Sequence, residues 1–328
     1  MAEPGPGKAA RTGRGRLASA SLTLAFSAVV LVTVWKAAGL SPDKLAAAFS
    51  SADFRLLALT LALSVLWHVF FGADKLWRVL KALGIEVSFR RVLFWRLGSG
   101  PLRAVLPVDA GEIFDVVFLW REKNTQVSAA AGAVAFESGL NLIGASFWLA
   151  VGLVLSGAPS AFSGGAAVGF LGLFFALFFF ATPVHAALVH LAEKLSGRLG
   201  RFAAGVLGPF ARASAGRKLF FAAYGIVFQI RPLLVCWLLF RAFGYSPDPA
   251  GLITAASLAF FAGHAPSASG LGPREAAVMV FFAGYAPPAV LFSVGFSLTL
   301  FVHIIPMLAG APWALWFLGR LWGGKKTP

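Results

Sequence analysis

Long apolar runs, separated by short polar ones, set the pattern of this chain. A run must reach about 20 residues to cross a hydrocarbon core of ~30 Å. Such runs predict spans near Leu17–Ala38, Phe54–Ala73, Val127–Leu155, Ala166–Leu191, Leu219–Phe240 and Ala289–Leu318. Residues 250–283 make a further apolar stretch, interrupted inside. Asp74, Lys75 and Arg78 mark the expected end of the second span, and Arg90–Leu97 alternates basic and apolar residues as an interfacial helix does. Two segments fit neither a span nor a loop. Ser99–Glu112 and His264–Glu275 are apolar but broken by Gly and Pro, and irregular backbone at membrane depth must be covered by protein or line water. Gly98–Gly111 and Ala265–Pro273 are therefore expected to be re-entrant and to face each other. The expected fold is an all-α polytopic membrane protein of about six to eight spans, with a possible inverted repeat.

Composition supports one membrane domain: 59% of the 328 residues are hydrophobic and 12% charged. Residues 1–16 are expected to be a disordered basic N-terminus, 17–319 a single transmembrane domain and 320–328 a short basic tail. The first span exceeds the 7–15 residues of a signal-peptide core and is expected to stay uncleaved. Net charge is +15, but the basic residues fall between apolar runs and no nucleic-acid motif accompanies them. They cluster in the N-terminus, Lys75–Lys123, Lys194–Lys218 and the tail, leaving Lys36, Lys44, Arg55 and Arg241 for the other side. That asymmetry places both termini in the cytoplasm. One cysteine, Cys236, allows neither an internal disulfide nor a Cys-based metal site. No cofactor or metal is expected.

Charges inside the apolar stretches are the candidate chemistry, because each costs at least ~2.5–3.5 kcal/mol at bilayer depth. Glu137 and Arg231 lie 14 and 13 residues beyond Lys123 and Lys218, so both are expected about 20 Å from the same edge, within ion-pair reach or in a shared polar cavity. Asn141 shares the face of Glu137. Each broken segment places Pro and Gly before a carboxylate: Pro107, Gly111 and Glu112 in one, Pro266, Gly270, Gly272, Arg274 and Glu275 in the other. Paired broken segments in two halves of a chain point to a midplane site. These eleven residues are the candidate substrate-binding set. Asp109, Glu112 and Asp115 offer an alternative, a lipid-headgroup enzyme, although no nucleophile elbow or phosphate loop accompanies them.

At these residues the chain resembles the transmembrane domain of the lysylphosphatidylglycerol synthase/flippase superfamily. Pro266 through Gly270-Leu271-Gly272-Pro273-Arg274-Glu275 is similar to P-x-x-x-G-G-L-G-x-R-E; Leu106-Pro107 through Gly111-Glu112 is similar to L-P-x-x-x-G-E; Glu137 and Asn141 stand in E-R-x-x-D. Ser138 replaces the arginine of that last pattern, Asn141 its acid, Asp115 another arginine and Ser269 one glycine. The resemblance is to the membrane region alone and implies no aminoacyl transfer. It implies a lipid flippase or lipid-binding transporter in a bacterial inner membrane, for an anionic or polyisoprenoid (including hopanoid) lipid. Membrane lipids are the expected partners; a scaffold of lipid-synthesis enzymes is a third reading.

Overall fold

The computed structural model describes residues 6–105, 112–123, 126–156, 214–265 and 267–322, with isolated positions between 187 and 200. Every regular element among them is helical: α1 (Pro6–Ala37), α2 (Pro42–Ser50), α3 (Phe54–Ala82), α4 (Phe89–Val105), α5 (Ile113–Lys123), α6 (Val127–Ser156), α7 (Ala215–Ala242), α8 (Pro249–Ala262), α9 (Pro273–Phe281), α10 (Pro288–Leu308) and α11 (Ala311–Trp322). Four of them, α3, α6, α7 and α10, are long and apolar enough to span a membrane. The α1–α2 pair, bent by 86°, makes a fifth if counted as one span. Large apolar side chains such as Leu22, Leu59, Val154, Leu219 and Leu315 stand exposed. That surface suits hydrocarbon rather than water. The chain is therefore an all-α, multi-pass membrane protein. The span expected at Ala166–Leu191 lies outside the described residues.

Punctuation sets the helix ends. Ser41 and Asp53 cap α2 and α3, Asp248 caps α8 by accepting the Gly251 amide, and prolines open α2, α8, α9 and α10. α7 is interrupted at Gln229, just before Arg231-Pro232. Pro232 has no amide to give the Phe228 carbonyl, which loosens the turn there. α3 and α10 each contain a π-helical turn, Trp67–Phe71 and Leu300–Ile304, and the two touch: Ser64 Oγ donates to the Phe301 carbonyl at 2.7 Å. A hydroxyl from one helix thus bonds a carbonyl in the loosened turn of the other.

Glycines bring backbones together. A Cβ on Gly225 would lie 2.5 Å from the Leu140 carbonyl oxygen, and one on Gly144 2.7 Å from Gln229 Cγ, so α6 and α7 touch main chain to main chain. A Cβ on Gly152 would likewise sit 2.7 Å from the Thr254 amide nitrogen, joining α8 to α6. Two apolar cores result. One combines α2, α7, α8, α9 and α10 around Leu239, Phe240, Val278 and Phe282. The other combines α3, α4, α5, α6 and α11 around Leu76, Trp95, Leu140 and Phe317.

Several expectations are corrected. α1 begins at Pro6, ahead of the apolar run expected to start at Leu17, where Ala, Lys and Arg favour helix. α3 continues nine residues past Ala73, so Asp74, Lys75 and Arg78 are not a span end. Residues 98–105 are helical where turns were expected: α4 passes through Gly98, Gly100 and Pro101 to Val105. Its glycines serve contact instead of a break. A Cβ on Gly100 would lie 2.7 Å from the Met307 carbonyl oxygen, and one on Gly98 3.0 Å from that of Trp313. Pro101 leaves the Leu97 carbonyl without its helical donor, and that carbonyl abuts Gly310, where α10 ends and α11 begins. In the helix expected at Arg90–Leu97, Trp95 packs inward instead of facing headgroups: it is fully buried and stacks on Phe118 at 4.9 Å. Residues 106–111, with the expected facing arrangement of the two breaks, lie outside the described residues. Residues 263–265 and 267–272, by contrast, are turns and bends between α8 and α9, and the Ala268 amide donates to Ser27 Oγ of α1 at 2.9 Å.

Candidate functional site

The charges withdrawn from lipid meet in one place. A cavity of about 380 Å³ is lined from α3, α4, α6, α7, α8, α9 and α10, so both cores contribute walls. Its charged lining is Lys75, Arg96, Arg231 and Arg274 against Glu112 and Glu137. His68, His264 and His303 also face it. The two π-helical turns supply His68 and His303, an instance of loosened helix at a polar site.

Glu137 of α6 organises one wall. Lys75 Nζ lies 3.1 Å from Glu137 Oε1, and Arg96 binds the same oxygen through Nη2. Lys75 is 1% exposed; it also donates to Asn141 Oδ1 at 2.6 Å and stands 4.1 Å from the Phe228 ring centroid. Arg96 Nη1 reaches Asp115 Oδ2 at 3.0 Å, and Trp95 Nε1 donates to Asp115 Oδ1 at 2.9 Å. Ser138 Oγ is 2.6 Å from either oxygen of Glu112. Gln229, in the interrupted turn of α7, donates to the Asn141 carbonyl at 3.0 Å.

Arg231 and Arg274 form a second group. Arg274 enters from the first turn of α9, and its Nη1 donates to the Ser269 carbonyl and to Thr299 Oγ1, both at 3.2 Å. Thr299 passes its own proton to Glu275 Oε1 at 2.6 Å. Gly263 and Gly270 cradle this guanidinium, where any Cβ would strike it. The turn is left-handed at Ser269 (φ 51°), Gly270 (81°) and Gly272 (96°). Ser269 thus holds a conformation that favours the glycine it replaces in the motif. Arg231 is 6% exposed, packs 5.6 Å from the Phe228 ring centroid, and among the described residues has no hydrogen-bond partner for Nε or Nη1.

Of the candidate residues, Glu112, Glu137, Asn141, Arg231 and Arg274 line the cavity. Glu137 and Arg231 share it without pairing: the ion pairs of Glu137 go to Lys75 and Arg96, which reach it from α3 and α4. Gly270, Gly272 and Glu275 do not line it. Glu275 is fully buried and caps α9, accepting the Gly272 amide at 2.5 Å, so its carboxylate serves the turn. Pro107, Asp109, Gly111 and Pro266 lie outside the described residues. Asp115, from the alternative acidic cluster, is fully buried behind Arg96 and Trp95. Among the described residues no group of three His, Cys, Asp or Glu side chains could hold a metal ion.

Lys75, Arg96, His68 and His303 also line the cavity, and the sequence reading left them out of the candidate set. Helical spacing carries the missing signal: Lys75 shares a face with Gly72 and Val79, and Arg96 with Val92 and Ser99, all buried.

The chain matches no curated protein and no solved structure. A family model does match it, that of the lysylphosphatidylglycerol synthase TM region, over residues 20–310. This range contains every helix that lines the cavity, and the chain belongs to the lysylphosphatidylglycerol synthase transmembrane-region family.

Proposed function

We propose that the protein is a flippase or lipid-binding transporter, in which the polar head of an amphiphilic lipid enters the charged cavity while the tails stay in hydrocarbon. The observation that carries this reading is the cavity lining, where four Lys/Arg side chains meet two carboxylates between apolar spans. Charges at that depth belong to an ion or substrate path. A water occupies about 30 Å³ of liquid volume, so the cavity has room for a headgroup about a dozen waters in size. The headgroup is anionic in this reading, because the cations outnumber the acids. Membership of a lipid-handling family and the apolar outer surface both support it. The charge asymmetry of the loops supports cytoplasmic termini, and the family resemblance is what suggests a bacterial inner membrane. The test is leaflet exchange: the full chain is reconstituted into vesicles with fluorescent anionic and neutral lipids, and the label still accessible to an impermeant quencher is followed. Exchange above protein-free vesicles is expected for the anionic lipid. Its absence for every lipid class overturns transport.

A further inference from the structure

Charge is unevenly shared inside the cavity. Around Lys75 and Arg96 there are three carboxylates, Glu112, Glu137 and Asp115, and both cations make ion pairs there. Arg274 reaches a carboxylate only through the Thr299 hydroxyl. Among the described residues Arg231 reaches none, and its buried Nε and Nη1 have no acceptor there. Burying a charge without a partner is costly, and such a group is retained where something else supplies the partner. A guanidinium presents a rigid fork of donors that matches a phosphate in two parallel hydrogen bonds.

We infer that Arg231, assisted by Arg274, is an anion-binding subsite of the cavity, and that it takes a phosphate group. The Lys75–Arg96–Glu137 cluster is already satisfied and acts as the wall of that subsite. Phe228 couples the two: its ring lies against both Lys75 Nζ and the Arg231 guanidinium, so it shields one side of each from water. His264, whose Nδ1 is 3.1 Å from the Phe260 carbonyl, faces the same space. The inference rests on the reading of the cavity as a headgroup site and narrows it to the phosphate of that headgroup.

The test uses the full chain in a non-ionic maltoside detergent with three probes: dioleoyl phosphatidic acid, the dioleoyl glycerol that lacks its phosphate, and inorganic phosphate. Lipid retention is read by native mass spectrometry and stabilisation by the melting temperature. The wild type is expected to retain phosphatidic acid at least tenfold over diacylglycerol. Arg231→Gln should reduce that retention at least tenfold, with Arg231→Lys in between. Without any probe, Arg231→Gln should melt no lower than wild type, because the substitution removes an unpaired buried charge. Phosphatidic acid alone stabilising the protein identifies the source as a lipid headgroup. Inorganic phosphate stabilising it in an Arg231-dependent way identifies a free phosphate as sufficient; either result supports the subsite. Equal retention of the two lipids by wild type, or a probe-free melting loss in Arg231→Gln with retention unchanged, overturns it and makes Arg231 a packing residue. Leaflet exchange separates this from the transport reading. Exchange and retention that both survive Arg231→Gln sink the subsite alone. Arg231-dependent retention without exchange by wild type sinks transport alone.

Discussion

Replacing Glu137 with Gln should destabilise the protein more than any other single charge removal in the cavity. The carboxylate is the shared partner of Lys75, fully buried, and Arg96, whose side chain is 12% exposed. At the observed 3.1 Å, attraction between unit charges in a medium of effective dielectric ~20 is about 5 kcal/mol for the Lys75 pair alone. Desolvation offsets part of this, and the remaining partners keep part of it: Asn141 still accepts from Lys75, and Asp115 still holds Arg96. Removing one member of a buried pair typically costs about 3–5 kcal/mol, because the partner charge stays buried. At about 2–4 °C per kcal/mol for chains of 150–250 residues, the melting temperature should fall by on the order of 10 °C. The assay is thermal unfolding of purified protein in detergent, with Glu137→Gln, Lys75→Met and the double variant side by side. The double variant should be more stable than the sum of the single losses implies, since neither charge is left without its partner. A Glu137→Gln protein that melts with wild type, or strictly additive losses, would refute the pairing.

Three further outcomes follow from local geometry. Gly144→Ala places a methyl against Gln229 and the Gly225 carbonyl and should cost about 1–3 kcal/mol by overpacking, read as a lower melting temperature; an unchanged value would refute the close α6–α7 contact. Ser269→Gly should stabilise by about 0.5–1 kcal/mol in denaturant titration, because a left-handed serine costs ~1–2 kcal/mol and glycine returns part of that gain as unfolded-state entropy; a loss of stability would refute the strain. The Asp248 carboxyl is held below its usual value by the Gly251 amide and then the Tyr285 hydroxyl, so its stabilisation exists above the ordinary carboxylate range and fades as pH falls through the lowered value. Tyr285 is pushed up to about 12 by the same hydrogen bond, so its share persists below its ordinary value and disappears as pH rises through about 12. Melting curves of wild type and Tyr285→Phe against pH should therefore diverge least at the two extremes; a constant gap would refute the link.

The helical, membrane-spanning character of the chain was legible in the apolar runs, since run length alone decides what can cross a bilayer. α6 and α10 begin within a residue of where their patterns place them. The turn before Arg274 was legible too, because Gly270 and Gly272 are needed for positive φ. Gly98 and Gly100 misled for a physical reason: a glycine that opens a turn and one that admits a neighbouring helix look alike locally. Met307 and Trp313, which decide between them, lie about two hundred residues away. Lys75 misled because Asp74 and Arg78 flank it and pair with each other on a partly exposed face. Lys75 itself points about 100° away from Asp74, toward α6. The partner of Glu137 was beyond sequence depth arithmetic, which places Arg231 at a similar height but says nothing of which helix stands beside α6.

The glycine contacts also decide how the cavity can deform. α7 and α8 each meet α6 main chain to main chain, at Gly144, Gly225 and Gly152. Such contacts leave little room for shear, so the three helices move as one plate, carrying Glu137 and Arg231 at a fixed spacing. α3 and α10 meet instead at the loosened π turn of α10, through the Ser64–Phe301 bond, and each carries a π turn of its own. That seam is the compliant one. A change in cavity volume is therefore absorbed there, and it moves His68 and His303 toward or away from a guanidinium that stays still.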